Sequence, residues 1–166
     1  MYLSVLSLSL SLSLSLSLSR SSFLTLSVQH AALGHYTHEK NPVSCAAGLA
    51  TLDFIRDNRL IENAKTLGAH SLQRMRALQR KYPLIGDVRG QGLLLGLELV
   101  KDPLSKERAM EEAERVLYEA LSRGLGFKLT MGNIITLCPP LTVTQQQMDT
   151  AFDILDECFA LVSGSK

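Results

Sequence analysis

The residues best suited to chemistry lie in Gly34-His35-Tyr36-Thr37-His38-Glu39-Lys40-Asn41-Pro42, a polar loop that runs into an alanine-rich stretch. Asn41 can cap the next helix, and Pro42 fits its first position, where no backbone donor is needed. Within the loop, His35-x-x-His38-Glu39 invites a metal reading, because two imidazoles could reach one ion on a helix. The helix begins only after the loop, so the histidines have no fixed helical spacing, and apart from Cys45 no third ligand is close. No metal site is expected.

Two other patterns carry less. Gly90-x-Gly92-x-x-x-Gly96 has the look of a nucleotide loop, but it precedes a strand instead of joining a strand to a helix. No helix N-terminus is then available for a phosphate, and a tight turn feeding a strand accounts for the glycines. Asp87 and Glu98 read as ordinary turn or surface carboxylates, and no spacing proposes a Ser/His/Asp arrangement.

The elements that must position these residues start after a low-complexity segment. Residues 7–19 alternate Ser and Leu without a break, inside a Ser/Leu-rich run reaching Ser27. A repeated pyrimidine dinucleotide encodes Ser-Leu in any frame, so translated simple-sequence DNA is the plainest source. A signal peptide would want a positive start and denser apolar content, and no continuous apolar run is long enough for a membrane helix. Residues 1–33 are therefore expected to stand outside the fold, as a disordered or artefactual N-terminus.

From Pro42 to about Asp57 the chain reads as a helix that is apolar nearly all round, a pattern expected to be buried on several sides. A second helix, about Leu60 to Tyr82, carries one stripe of Leu60, Ala64, Leu67, Ser71, Met75 and Leu78. Arg74, Arg76, Arg80 and Lys81 lie mainly off that stripe and read as a solvated face, and Pro83 stops the helix. A Gly-punctuated segment leads to a strand over 93–100. A third helix is expected over about Lys106–Arg123 with Gly124 as its stop, then short strands near 125–130 and 134–138, with turn chemistry at Gly132-Asn133. The last helix starts at a Thr144-x-x-Gln147 capping box and places Met148, Ala151, Phe152, Leu155, Cys158, Phe159 and Val162 in a core. This second half reads as a small α+β unit.

Composition excludes some partners. With a formal charge of +1, no basic cluster and 5% aromatic residues, neither nucleic acid nor an anionic membrane is implied. Three widely separated cysteines, Cys45, Cys138 and Cys158, read as reduced, partly buried thiols in a reducing compartment, the cytoplasm or a mitochondrion.

From Gly34 to about Phe159 the chain resembles the C-terminal part of a class III pyridoxal-phosphate (PLP) aminotransferase. The residues that carry this are Thr37 before Asn41-Pro42, then Val88-Arg89-Gly90-Gln91-Gly92-Leu93, then Asn133 followed by Pro139-Pro140-Leu141. The family order is a threonine loop before an Ala-rich helix, a Val-Arg-Gly-x-Gly turn, and an Asn-x-x-Arg-x-x-Pro-Pro-Leu segment. The fold this implies is α/β, the C-terminal portion of a fold type I PLP-dependent transferase. Residues 34–82 would be the tail of the large PLP-binding domain and 83–166 a small α+β C-terminal domain.

By the resemblance, the cofactor is pyridoxal 5'-phosphate, and Thr37 is its one binding residue here, holding the phosphate of the cofactor bound by the other subunit of a homodimer. A loop entering a helix start suits that anion. The Schiff-base lysine would lie upstream of Thr37, where this sequence has Ser/Leu repeat, so no catalytic residue is expected in this chain and it is expected to be inactive alone. The family arginine that grips a substrate α-carboxylate corresponds to Thr136, which cannot form a bidentate charged pair. A substrate without an α-carboxylate, a terminal amine or an amino-phosphonate, is therefore favoured. The implied activity of the whole enzyme is amino transfer between an amine or amino acid and an oxo acid. Two alternatives stand beside it: a PLP-dependent ammonia- or phospho-lyase, and a non-catalytic dimerisation fragment that pairs with a full-length paralogue.

Overall fold

The computed structural model describes residues 41–164 of the 166-residue chain. Thr37, the histidine loop and the expectation for residues 1–33 lie outside the described residues. The chain divides into two compact units, residues 1–60 and 61–166.

Of the first unit the structure describes helix α1, Pro42–Asp57. Its start agrees with the sequence: Pro42 occupies the first turn, and Asn41 Oδ1 accepts a hydrogen bond from Val43 N–H at 3.0 Å. Its end is closed by Asn58, whose backbone N–H and side-chain amide both donate to Phe54 O. The expected burial on several sides is not found. No residue of α1 is buried, and Val43 (77%), Leu49 (57%) and Phe54 (53%) are exposed. An all-round apolar helix needs covering surfaces that the described residues do not supply.

The second unit is a four-stranded antiparallel sheet packed on helices. In chain order it contains α2 (Leu60–Lys81, which begins at the unit boundary), β1 (Ile85–Gln91), β2 (Leu94–Leu99), α3 (Met110–Ser122), β3 (Lys128–Thr130), β4 (Ile134–Leu137) and α4 (Gln145–Gly164). The spatial order of strands is β1-β2-β4-β3. Leu95, Leu97 and Leu99 alternate with less buried residues along β2, and Ile135 and Leu137 do the same on β4. That period-two pattern turns one sheet face into the core. Met75 of α2, Val116 of α3, and Phe152 and Phe159 of α4 fill the space against it, each fully buried.

Two elements differ from the sequence expectation. Arg89-Gly90-Gln91 is not a turn but the end of strand β1, and the turn is the two-residue loop Gly92-Leu93 between β1 and β2. Gly92 adopts φ +56°, which a tight hairpin loop demands and glycine alone takes cheaply. Helix α3 starts at Met110 instead of Lys106. The backbone before it pairs with the end of the hairpin: Lys101 N–H donates to Glu107 O at 2.8 Å, Ala109 N–H donates to Leu99 O at 3.2 Å, and Lys106 sits at φ +56°.

Three contacts hold the layers in place. A Cβ on Gly68 of α2 would lie 2.3 Å from Gly92 O, so the helix backbone rests directly on the hairpin turn. Asn63, one turn earlier on α2, donates its amide to Leu141 O and Val143 O at 2.8 and 3.1 Å, which pins the Pro139-Pro140-Leu141 corner. Asn133, expected as a turn residue, is buried; its side chain donates to Leu99 O at 2.9 Å while its own carbonyl accepts from Leu99 N–H. The Thr144–Gln147 capping box forms as expected, with Thr144 N–H donating to Gln147 Oε1 at 2.9 Å.

The basic residues of α2 are not simply solvated. His70 meets Asp149 at 2.7 Å, Arg74 meets Asp153, and Lys81 meets Asp156 at 2.7 Å, forming a ladder from α2 to α4. Tyr82 OH donates to Asp156 Oδ1 at 2.6 Å, and its ring packs on Phe159 with centroids 5.6 Å apart. The His70 hydrogen bond holds the Asp149 carboxyl below its ordinary value. Burial pushes Asp156 upward, but its bonds to Lys81 and Tyr82 outweigh this and leave it lowered as well. Among the cysteines, only Cys158 is buried; Cys45 and Cys138 are exposed, which corrects the partly buried reading, and all three are free.

Gly68→Ala should destabilise the unit by roughly 1–3 kcal/mol through overpacking against the hairpin turn, less about 1 kcal/mol returned by helix propensity. A lower urea midpoint at unchanged slope is the expected readout. Asn133→Ala should cost roughly 1 kcal/mol, because Leu99 O loses one of its two donors and keeps Ala109 N–H. The ladder carries a pH signature. Its two depressed aspartates contribute stability above the ordinary carboxylate pKa of about 4, and that contribution is lost as pH falls through their lowered values. Urea melts should show the Asp149→Asn/Asp156→Asn variant weaker at neutral pH and losing less than the wild type on acidification. Equal acid losses in the two proteins would contradict the ladder.

Candidate functional site

Strand alternation leaves the second sheet face to Asp87, Arg89, Gln91, Leu94, Gly96, Glu98, Lys128, Thr130, Ile134 and Thr136, none of them buried. The helices of this unit pack on the opposite face, where the core lies. The register aligns one row across all strands of the sheet. Arg89 lies opposite Gly96, Gly96 opposite Thr136, and Thr136 opposite Lys128. The neighbouring row runs Asp87, Glu98, Ile134, Thr130.

At the β1 end of this face, Arg89 Nη1 reaches both Asp87 Oδ2 at 2.6 Å and Glu98 Oε2 at 2.7 Å. The bond to Glu98, then that to Asp87, raises the guanidinium pKa above its already high value. Arg89 is thus held by carboxylates of its own sheet instead of being free for a ligand. A hollow of about 390 Å³ adjoins this group, lined by Gly86, Asp87, Glu98, Val100, Pro103 and Lys106. In the sequence Asp87 and Glu98 look like ordinary surface carboxylates. A two-residue loop at Gly92-Leu93 would locate them, because it places residue 89 opposite 96 and 87 opposite 98.

At the β3 end the chemistry changes. Thr136, which stands where a guanidinium was expected from the motif, is half-buried on β4, and its Oγ1 lies 2.8 Å from Thr130 Oγ1 on β3. Beside it Lys128 is exposed and makes no ion pair among the described residues. Gly96 contributes no side chain in the middle of the row; a Cβ there would be in ordinary contact with Ile134 Cγ2 at 3.7 Å and Arg89 Cγ at 3.8 Å. The face therefore presents a guanidinium paired with carboxylates, a glycine, two hydroxyls and an ammonium.

The single cofactor residue expected from sequence, Thr37, precedes the described residues. The start of α1 nonetheless tests the fit of an anionic group. Its first turn contains no acidic residue, so the positive end of the helix dipole is not cancelled. Its donors are partly engaged, however: Val43 N–H bonds Asn41 Oδ1, Cys45 N–H bonds Asn41 O, and Pro42 has none. The start of α1 is thus electrostatically compatible with an anion, with two of its first backbone donors already engaged. Among the described residues no group of His, Cys, Asp and Glu could hold a metal ion, and no helix is long and apolar enough to cross a membrane.

Comparison with known proteins places this geometry. The family model for aminotransferase class-III matches residues 22–159. A (R)-1-hydroxy-2-aminoethylphosphonate ammonia-lyase from Vibrio splendidus is 44% identical over 79% of this chain and 27% of its own length. An isoleucine 2-epimerase from Lentilactobacillus buchneri is 42% identical over 79% of this chain and 29% of its own. Among solved structures, a PLP-bound amine transaminase from an uncultivated Pseudomonas species superposes with a TM-score of 0.73 at 34% identity, covering 80% of this chain and 30% of that one. The chain thus spans less than a third of the length of these relatives. The helix and sheet arrangement is that of the C-terminal part of PLP-dependent transaminases. On the match across most of its length, the chain belongs to the class III aminotransferase family.

Proposed function

We propose that this chain is the C-terminal part of a PLP enzyme that, when whole, eliminates ammonia from a hydroxy- or phospho-bearing amine. The observation that carries this reading is Thr136: a hydroxyl paired with Thr130 stands at the motif position from which a guanidinium fork would clasp an α-carboxylate. The 44% identical relative from Vibrio splendidus is an ammonia-lyase acting on an aminophosphonate, which supports the same chemistry. Amino transfer between an amine and an oxo acid is the second reading, and the transaminase structures that this chain resembles favour it.

Bound PLP would withdraw electrons from the amine-bearing carbon and so make a proton there removable. The residues of this chain act around that chemistry. Thr37 would donate its hydroxyl and backbone N–H to the cofactor phosphate across the interface of a homodimer. The dipole of α1, with no acid in its first turn, favours the same anion. Residues 34–82 would close the large PLP-binding domain and residues 83–166 form the small domain, whose polar sheet face turns toward substrate. The exposed apolar side chains of α1 are those a covering domain or subunit would bury. By the family resemblance, the lysine that carries the cofactor would lie upstream of Thr37, so this chain by itself should be inactive with any amino donor.

Product analysis on the whole protein, loaded with PLP and given a 1-hydroxy-2-aminophosphonate, separates the readings. Ammonia and an oxo product should accumulate without any added oxo acid. Turnover that starts only when a 2-oxo acid is supplied would replace elimination by amino transfer. Steady turnover by the 166-residue chain alone would overturn its assigned inactivity.

A further inference from the structure

We infer that Lys128 and the Thr130–Thr136 hydroxyl pair form a recognition point for a tetrahedral oxyanion, the phosphonate or phosphate group of the amine substrate. This deepens, and rests on, the elimination reading above. Three observations on the open sheet face carry it. Lys128 is the cation on this face without an ion pair among the described residues, whereas Arg89 is held by Asp87 and Glu98. Its Cβ stands about 5 Å from that of Thr136, its direct cross-strand partner. The two hydroxyls lie 2.8 Å apart on the diagonal of the same strand pair, half-buried.

The geometry favours a tetrahedral anion over a planar one. In the Thr130–Thr136 pair one hydroxyl proton is engaged between the two oxygens, and the other remains to donate outward. A hydroxyl and an ammonium on separate side chains lack the parallel N–H fork that matches a carboxylate. A phosphonate offers acceptor oxygens in several directions and a higher charge, so it can take both at once. Gly96, opposite Thr136 on the other side, adds no side chain of its own to the row, and the Ile134 and Arg89 side chains flank it. The carboxylates that would repel it are concentrated at the β1 side of the face, where Arg89 binds both.

The test uses the full 166-residue chain and needs no cofactor or amine, so it is independent of whether the whole enzyme eliminates or transfers. Amide NMR signals are followed on titration with methylphosphonate and, separately, with acetate. Methylphosphonate should shift Gly96, Lys128, Thr130 and Thr136 and bind more tightly than acetate. Lys128→Gln, an exposed change that leaves the spectrum dispersed, should weaken methylphosphonate about tenfold, the loss expected for one charge-assisted hydrogen bond. Thr136→Val should weaken it less, and Thr136→Arg should shift the preference toward acetate. Shifts absent from this row, equal affinity for the two anions, or an unaffected Lys128→Gln would overturn the inference. Ammonia release from aminophosphonates by the whole protein in that event would leave the elimination reading standing.

Discussion

The close approach of Gly68 to Gly92 is the constraint on which the rest of the second unit depends. Gly68 leaves no room for a side chain against the turn, Gly92 needs glycine for its positive φ, and the hairpin cannot slip along the helix. Fixing that turn fixes the register of β1 on β2. In a strand a slip of one residue would exchange the two faces, so the register decides which residues are core and which are open. Here it sends Leu95, Leu97 and Leu99 inward and leaves Arg89, Gly96 and Glu98 outward. Asn133 and Asn63 extend the constraint. The first ties the start of β4 to the end of β2, and the second ties the Pro139-Pro140-Leu141 corner to α2.

The fixed register produces a sheet with two unlike faces. The apolar face is sealed by α2, α3 and α4, with the α2–α4 ion ladder along the rim of that layer. Surface pairs of that kind contribute little individually, and the buried aromatic and aliphatic side chains stabilise the layer far more. The polar face has no comparable cover within its own unit, and it separates a carboxylate–guanidinium cluster on one side from hydroxyls and an ammonium on the other.

Sequence is most legible where a single local rule decides. Helix α1 begins and ends at the residues expected, because Asn41 and Pro42 leave little choice, and α4 begins at its capping box. The buried stripe of α2 is readable from helical spacing. Three short motifs in order point to the family, and the matched region bears that out. Non-local contacts are not legible in the same way. Strand β1 looks like a turn because its glycines mask a strand whose pairing is set by a loop beyond it. The expected start of α3 overruns because Ala109 and Glu107 pair with backbone earlier in the chain. The burial expected for α1 fails for a related reason, since the described residues do not contain the surface it would need. Likewise Arg74 and Lys81 of α2 look solvent-facing until α4 places aspartates opposite them.

We propose that the open sheet face and Thr37 each serve a PLP enzyme, the first toward substrate and the second toward a cofactor phosphate. A crystal structure of the whole protein with PLP bound tests it most directly. The account predicts the Thr37 hydroxyl on the cofactor phosphate of the other subunit and the Gly96–Thr136–Lys128 row facing the substrate side of the cofactor. A row facing bulk solvent, or Thr37 far from any subunit contact, would contradict it.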